Sequence, residues 1–232
     1  MISIHPNLIR AYREAKYVVE ITDPITLLVG KCNSNLSILL KERKLSTAAF
    51  ITAFNPNSNI LSDHENIEAH KQLLKDAKDL NLETIDGYGQ DITEQWPRET
   101  SALILGITES QAETLADKYS QNAFIWIGSI DALPVLRLRH PIALPSDEEI
   151  KMWLLDLPSI FVNNAKTLSR LDQAWIMSVT KFEQFHWLDS GAWDLNQTWP
   201  LSKPDGSAMG IGTELDRVFK LIAAGQSKIV HD

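Results

Sequence analysis

The sequence predicts an α+β protein: a split βαβ, ferredoxin-like sandwich with an extra N-terminal hairpin and helices, followed by a mainly helical C-terminal part. Three observations predict it. Between residues 47 and 128, apolar strand-like runs and amphipathic stretches follow the order β-α-β-β-α-β, the order of a split βαβ unit. Strings with Ser/Thr-x-x-Glu/Gln spacing begin at Ser62, Thr108 and Ser146. They mark helix starts, because the first side chain accepts from a free backbone N–H while the fourth reaches back. Beyond residue 140, Leu171, Trp175, Ile176, Val179, Phe182 and Phe185 recur at helical spacing. Periodicity leaves strand order open, and a doubly wound sheet is the alternative.

Each element has a local reason. Residues 7–16 place Leu8, Ile9, Tyr12 and Ala15 on one helix face. Residues 17–21 and 25–29 flank Thr22-Asp23-Pro24 and read as a hairpin, with Pro24 at the turn or a strand start. Asn33 or Ser34 can cap a helix over 35–44 that points Leu36, Leu39 and Leu40 inward. A strand over 47–54 leads into a polar loop, and a helix runs from Ser62 to about Leu80. Residues 82–85 form a strand ended by Gly87-Tyr88-Gly89, and a second polar loop spans 90–100. A strand over 101–106, a helix from Thr108 to Tyr119 and a strand over 123–127 follow, with 135–138 as an edge strand. Residues 140–145 read as a linker between an α+β sandwich domain, 1–139, and a Trp-rich, mainly helical region, 140–232. There Ser146 opens a helix to about Leu157, and Thr213 caps a last helix through Ala224, with Gly225 as its stop.

Composition narrows the functions. The chain has 232 residues, 44% hydrophobic and 22% charged, with a net charge of −8. Residues 1–139 hold 14 Lys and Arg against 18 Asp and Glu, and residues 140–232 hold 8 against 12, so neither part is a basic module. The short clusters at 41–44 and 137–139 read as solvated element ends, and the balance argues against broad nucleic-acid binding. No apolar run is long enough to span a bilayer, which points away from membrane partners. The N-terminus lacks a charged-then-apolar signal pattern, so a cytoplasmic location is expected. Cys32 is the sole cysteine, which excludes an intrachain disulfide and a cysteine-rich zinc site; a small buried residue is expected there. His64 and His70 are six positions apart and do not share a helix face at ligand spacing, so no metal is expected. No motif points to a cofactor.

The candidate site begins where the strand 47–54 drops into Asn55-Pro56-Asn57-Ser58. Loops held by a rigid scaffold carry binding groups disproportionately. Thr52, Asn55, Asn57 and Ser58 offer hydroxyl and amide groups there, and Asn66, just past the Ser62 capping string, can face the same loop. In a split βαβ the end near 54 and the start near 100 belong to neighbouring antiparallel strands. The expected site therefore lies between loops 55–66 and 87–99, with Glu99 as general base, Trp96 as a stacking platform and Arg98 for an anion. The competing reading is a stiff turn, with Trp96 packing the loop and Glu99 paired to a cation. One carboxylate without a recognisable partner does not decide whether the chain is an enzyme.

Three strings stand in order: 50–58, Phe-Ile-Thr-Ala-Phe-Asn-Pro-Asn-Ser; 96–101, Trp-Pro-Arg-Glu-Thr-Ser; and 119–123, Tyr-Ser-Gln-Asn-Ala. Together they resemble the bacterial domain-of-unknown-function family numbered 3293, over residues 8–138. The third string adds Gln121 to the binding candidates. The family carries no established activity to transfer, and residues 140–232 resemble nothing recognised. The leading expectation is a small-molecule or nucleotide-like ligand, bound or hydrolysed. The alternative is a non-catalytic interaction or regulatory module that meets a protein partner, or itself, through Trp193 and Trp199. Those two stand in turn-rich sequence, whereas Trp153 and Trp175 fit a helical core.

Overall fold

The computed structural model describes residues 2–92, 96–128, 132–157 and 159–179. The expected features at Phe182, Phe185, Trp193, Trp199 and the final helix over 213–224 lie outside these residues. Two compact units are present, one of Ala11–Pro141 and one of Met1–Arg10 with Ile142–Asp232.

Helix α1 is Pro6–Glu14. The unit of residues 11–141 then builds β1 (Lys16–Val19), β2 (Ile25–Leu27), α2 (Ser34–Glu42), β3 (Ala48–Thr52), a 3-10 turn (Pro56–Ser58) and α3 (Asp63–Asp79). Strands β4 (Glu83–Gln90) and β5 (Glu99–Leu105), helix α4 (Glu109–Lys118), and strands β6 (Ala123–Ile127) and β7 (Pro134–Leu138) follow. The seven strands form one sheet in the order β2-β1-β4-β5-β3-β6-β7. Every neighbouring pair is antiparallel, and the mixed helix-and-strand content is that of an α+β protein.

Alternation along the central strands sets the layers. Ala49 and Ile51 of β3, Ala102 and Ile104 of β5, and Phe124 and Trp126 of β6 pack with Leu73 of α3 and Leu115 of α4. Their neighbours Ala48, Phe50, Leu103, Leu105, Ile125 and Ile127 point to the other face, where Leu36 and Leu40 of α2 meet Val19, Ile25 and Leu27. These strands are buried on both sides, which is why they read as continuous apolar runs. Each fully buried Leu, Ile or Phe contributes about 1.5–3 kcal/mol. The sheet's two ends also meet: the Gly30 N–H donates to Pro134 O (2.9 Å) and the Asn33 N–H to Ala132 O (3.3 Å).

Asn33 caps α2 through an N–H bond from Leu36. Ser62 and Thr108 each form the full reciprocal box, with Glu65 and Gln111. Replacing Thr108 with Ala should lower the unfolding free energy by about 0.5–2 kcal/mol. Urea denaturation checks this, and an unchanged midpoint would mean the box adds nothing at that helix.

Two expectations need correction. Gly87-Tyr88-Gly89 does not end β4, which continues to Gln90 and pairs with β1 and β5 on its two sides. Gly87 lies where the neighbouring backbone comes too close for a side chain: a Cβ there would stand 2.3 Å from Val18 O and 2.8 Å from a Phe50 ring carbon. Glycine inside a central strand marks such an approach rather than a stop. Cys32 is exposed rather than buried, because it stands in the turn between β2 and α2 and not on either apolar face.

In the unit of residues 1–10 with 142–232, Ile4 bridges Ile142 and accepts from the Ala143 N–H at 2.8 Å. The Ser146 box with Glu149 opens α5 (Asp147–Asp156). Glu149 also meets His5 at 2.6 Å. The serine hydroxyl and backbone N–H, helped by His5, hold the Glu149 carboxyl down at about 2. Helices α6 (Ser159–Thr167) and α7 (Arg170–Val179) follow. Trp153 and Trp175 are buried, as their spacing predicts. Helix α6 goes unpredicted because Ile, Phe, Val, Asn and Thr make a weak helical signal.

Candidate functional site

The candidate residues of the unit 11–141 gather at the C-terminal end of β3. There the chain leaves the sheet, meets the first turn of α3 and lies beside the first residue of β5. Backbone geometry sets the turn. Asn55, Asn57 and Ser58 all take left-handed φ, at 49°, 52° and 58°, a conformation asparagine tolerates better than most residues. Non-glycine residues held there cost of order 1–3 kcal/mol each, and they persist where surrounding bonds over-determine them.

Those bonds are present. The Asn55 N–H donates to Asn66 Oδ1 (2.9 Å), and Asn55 Oδ1 accepts from Asn66 Nδ2 (3.0 Å) and from the Leu61 N–H (3.1 Å). Asn55 Nδ2 donates to Glu99 Oε1 at 2.7 Å. Trp96 Nε1 donates to the same oxygen at 3.0 Å. The strand-end loops thus converge on Glu99, with Asn55 and Asn66 both buried. Glu99 Oε2 has no hydrogen-bond partner among the described residues. Burial pushes the Glu99 carboxyl up, against the lowering effect of the Asn55 and Trp96 bonds, and no cationic side chain among the described residues offsets it.

A second cluster adjoins the first along the same turn. Tyr12 OH and Ser58 Oγ are 2.8 Å apart, and Asn122 Nδ2 donates to both, at 3.1 Å and 3.0 Å. The Asn57 N–H donates to Ser120 O at 2.7 Å, while Asn57 Oδ1 is buried with no hydrogen-bond partner. Burial raises the Tyr12 phenol, its bonds to Ser58 and Asn122 oppose this, and the charge of Glu99 adds to the rise. Tyr17, raised chiefly by burial, donates to Tyr12 O at 2.6 Å.

The remaining candidates are placed differently. Thr52 Oγ1 donates to Thr100 O (2.8 Å) and accepts from the Phe54 N–H (3.0 Å), tying β3 to β5. Gln121 Nε2 donates to Phe54 O (2.9 Å) and Tyr119 O (3.2 Å). Arg98 donates from Nε to Gln90 Oε1 and lies 4.6 Å over the Tyr88 ring, so its cation is engaged away from Glu99. Trp193 and Trp199 lie outside the described residues. His70 Nδ1 is buried without a partner, and burial lowers the imidazole's pKa, opposed by Asp86. Among the described residues, no three His, Cys, Asp or Glu side chains gather as a metal site, and no helix is long and apolar enough to cross a membrane.

Sequence reasoning missed Tyr12 and Asn122. Tyr12 reads as one more apolar-face residue of a short helix, and only the fold brings it to residue 58. Asn122 stands inside the 119–123 string, which was the available signal.

No curated protein and no solved structure matches the chain. Residues 51–124 match the model of a family described as "Protein of unknown function (DUF3293)". The matched segment runs from within β3 into β6 and contains Asn55, Asn57, Ser58, Asn66, Glu99 and Asn122. The resemblance read from the three strings is to this family, and the family model matches residues 51–124.

Proposed function

We propose that the unit of residues 11–141 binds a small polar ligand at the Asn55–Glu99 cluster, with Glu99 as the group that accepts its proton or hydrogen bond. The observation that carries this reading is Glu99 itself. It is a half-buried carboxylate, with one oxygen fixed by two N–H donors and the other left open, and no cation of the described chain pairs with it. Withdrawing an ionised carboxylate from water without a countercharge is costly, and such groups concentrate at functional sites. The strained turn at 55–58 supports the same reading. Substrate hydrolysis with Glu99 as general base is the enzymatic form of the proposal, because a raised carboxyl lies closer to neutral pH.

The strand order β4-β5-β3-β6, with its antiparallel neighbours, supports a split βαβ core for this unit. Helices α5, α6 and α7 support a mainly helical region over 140–232. A lone exposed thiol supports a reducing, cytoplasmic setting.

The test is a thermal-shift screen of the full chain and its Glu99→Gln variant against small polar compounds, nucleosides and nucleotides included. A ligand at about 100 times its Kd stabilises by about 2.7 kcal/mol. The expected result is a compound that raises the wild-type midpoint and leaves the variant's unmoved. Ligands that shift both proteins equally would place binding elsewhere and overturn the assignment.

A further inference from the structure

Building on the proposed site, we infer that its ligand is an organic cation, presenting a protonated amine or related nitrogen cation to Glu99 Oε2. The open atom of the Glu99 carboxylate is an acceptor. Glu99 Oε2 has no partner among the described residues. Trp96 Nε1 and Asn55 Nδ2 already serve Oε1, and Asn66 Nδ2 serves Asn55 Oδ1 and Leu61 O. A ligand that completes this arrangement brings N–H donors.

Charge points the same way. Arg98 is the cation nearest Glu99 in sequence, but its Nε donates to Gln90 and its guanidinium lies over the Tyr88 ring, and it does not pair with Glu99. An anionic ligand such as a phosphate would meet the Glu99 carboxylate, on which no cation of the described residues acts, whereas an ammonium supplies the missing countercharge. Because Trp96 donates to Glu99 Oε1 at 3.0 Å, its indole lies beside the carboxylate. The net charge of −8 favours the approach of a cation from solution.

Three probes that share a benzyl or phenyl ring and differ in their charged end separate the possibilities: benzylammonium, benzyl alcohol and benzoate. The readout is the Trp96 indole N–H resonance of the full-length, nitrogen-15-labelled chain, assigned with the Trp96→Phe variant. Benzylammonium should shift that resonance saturably and the other two should not. Glu99→Gln should weaken the binding by about tenfold or more, the scale of a hydrogen bond to a charged group. A saturable shift from benzoate or benzyl alcohol that disappears in Glu99→Gln would overturn the cationic ligand and leave the site standing. A benzylammonium shift of equal strength in wild type and Glu99→Gln would overturn both. The absence of any shift would overturn the cationic ligand, leaving the thermal-shift screen to decide the site.

Discussion

Glu99→Gln should make the protein more stable while removing ligand binding. Glutamine keeps an acceptor for the Asn55 and Trp96 N–H groups and removes the half-buried charge. The expected gain is about 0.5–2 kcal/mol, the usual scale when a functional compromise is relieved. In a chain of this length, that is a rise of about 2–4 °C in Tm per kcal/mol. The gain should depend on pH with a definite sign. Burial raises the Glu99 carboxyl above its unfolded value of 4.5. On acidification the native state therefore takes up this proton before the unfolded chain does, and wild type gains stability between the folded and unfolded pKa values. The advantage of Glu99→Gln is fully present above the folded pKa and fades as pH falls toward 4.5. Glu99→Ala should do the opposite, since it leaves two N–H donors without their acceptor at a cost of about 1–3 kcal/mol. A loss of stability in Glu99→Gln at neutral pH would show that the carboxylate is a structural hub and not an uncompensated charge.

The largest backbone effect is expected at Gly87. A methyl group there cannot avoid Val18 O at 2.3 Å, because both atoms belong to paired strands, and Phe50 blocks the other direction at 2.8 Å. Gly87→Ala should cost about 1–3 kcal/mol or more. Gly89, two residues on in the same strand, is the control: its added Cβ would meet only the Tyr17 ring, at 3.9 Å. Gly89→Ala should be neutral or stabilising by up to about 1 kcal/mol, through the lower entropy of the unfolded chain. Equal losses at both positions in a denaturant titration would mean that strand glycines matter here for flexibility and not for space.

Much of the fold is written in local signals. The three capping strings need only four residues each to declare a helix start, and Ala48–Thr52 is apolar enough to declare a central strand. The approach of Asn55 to Glu99 was legible because both stand at the ends of strands that a split βαβ reading pairs antiparallel, as they are here. What sequence could not carry was contact across the sheet. Gly87 looks like punctuation until β1 and Phe50 are placed against it, and Tyr12 looks like helix filler until its hydroxyl meets Ser58. Both depend on partners distant in sequence, which no short window contains. Cys32 failed for a different reason: free cysteines are among the most buried residues in general, but this one stands between Lys31 and Asn33 in a turn that belongs to neither face.

The meeting of the sheet's two ends bears on behaviour in crowded solution. A terminal strand presents a row of unpaired backbone groups on which another chain can add a strand, the usual beginning of edge-to-edge aggregation. Here the chain just after β2 donates to the first residue of β7 and to Ala132 just before it, so part of each row is engaged within the molecule. β2 is only three residues long, and β7 starts with a proline and bears Arg137. The fold thereby carries a wide, strongly apolar sheet while offering little bare edge on which β-strand addition could start.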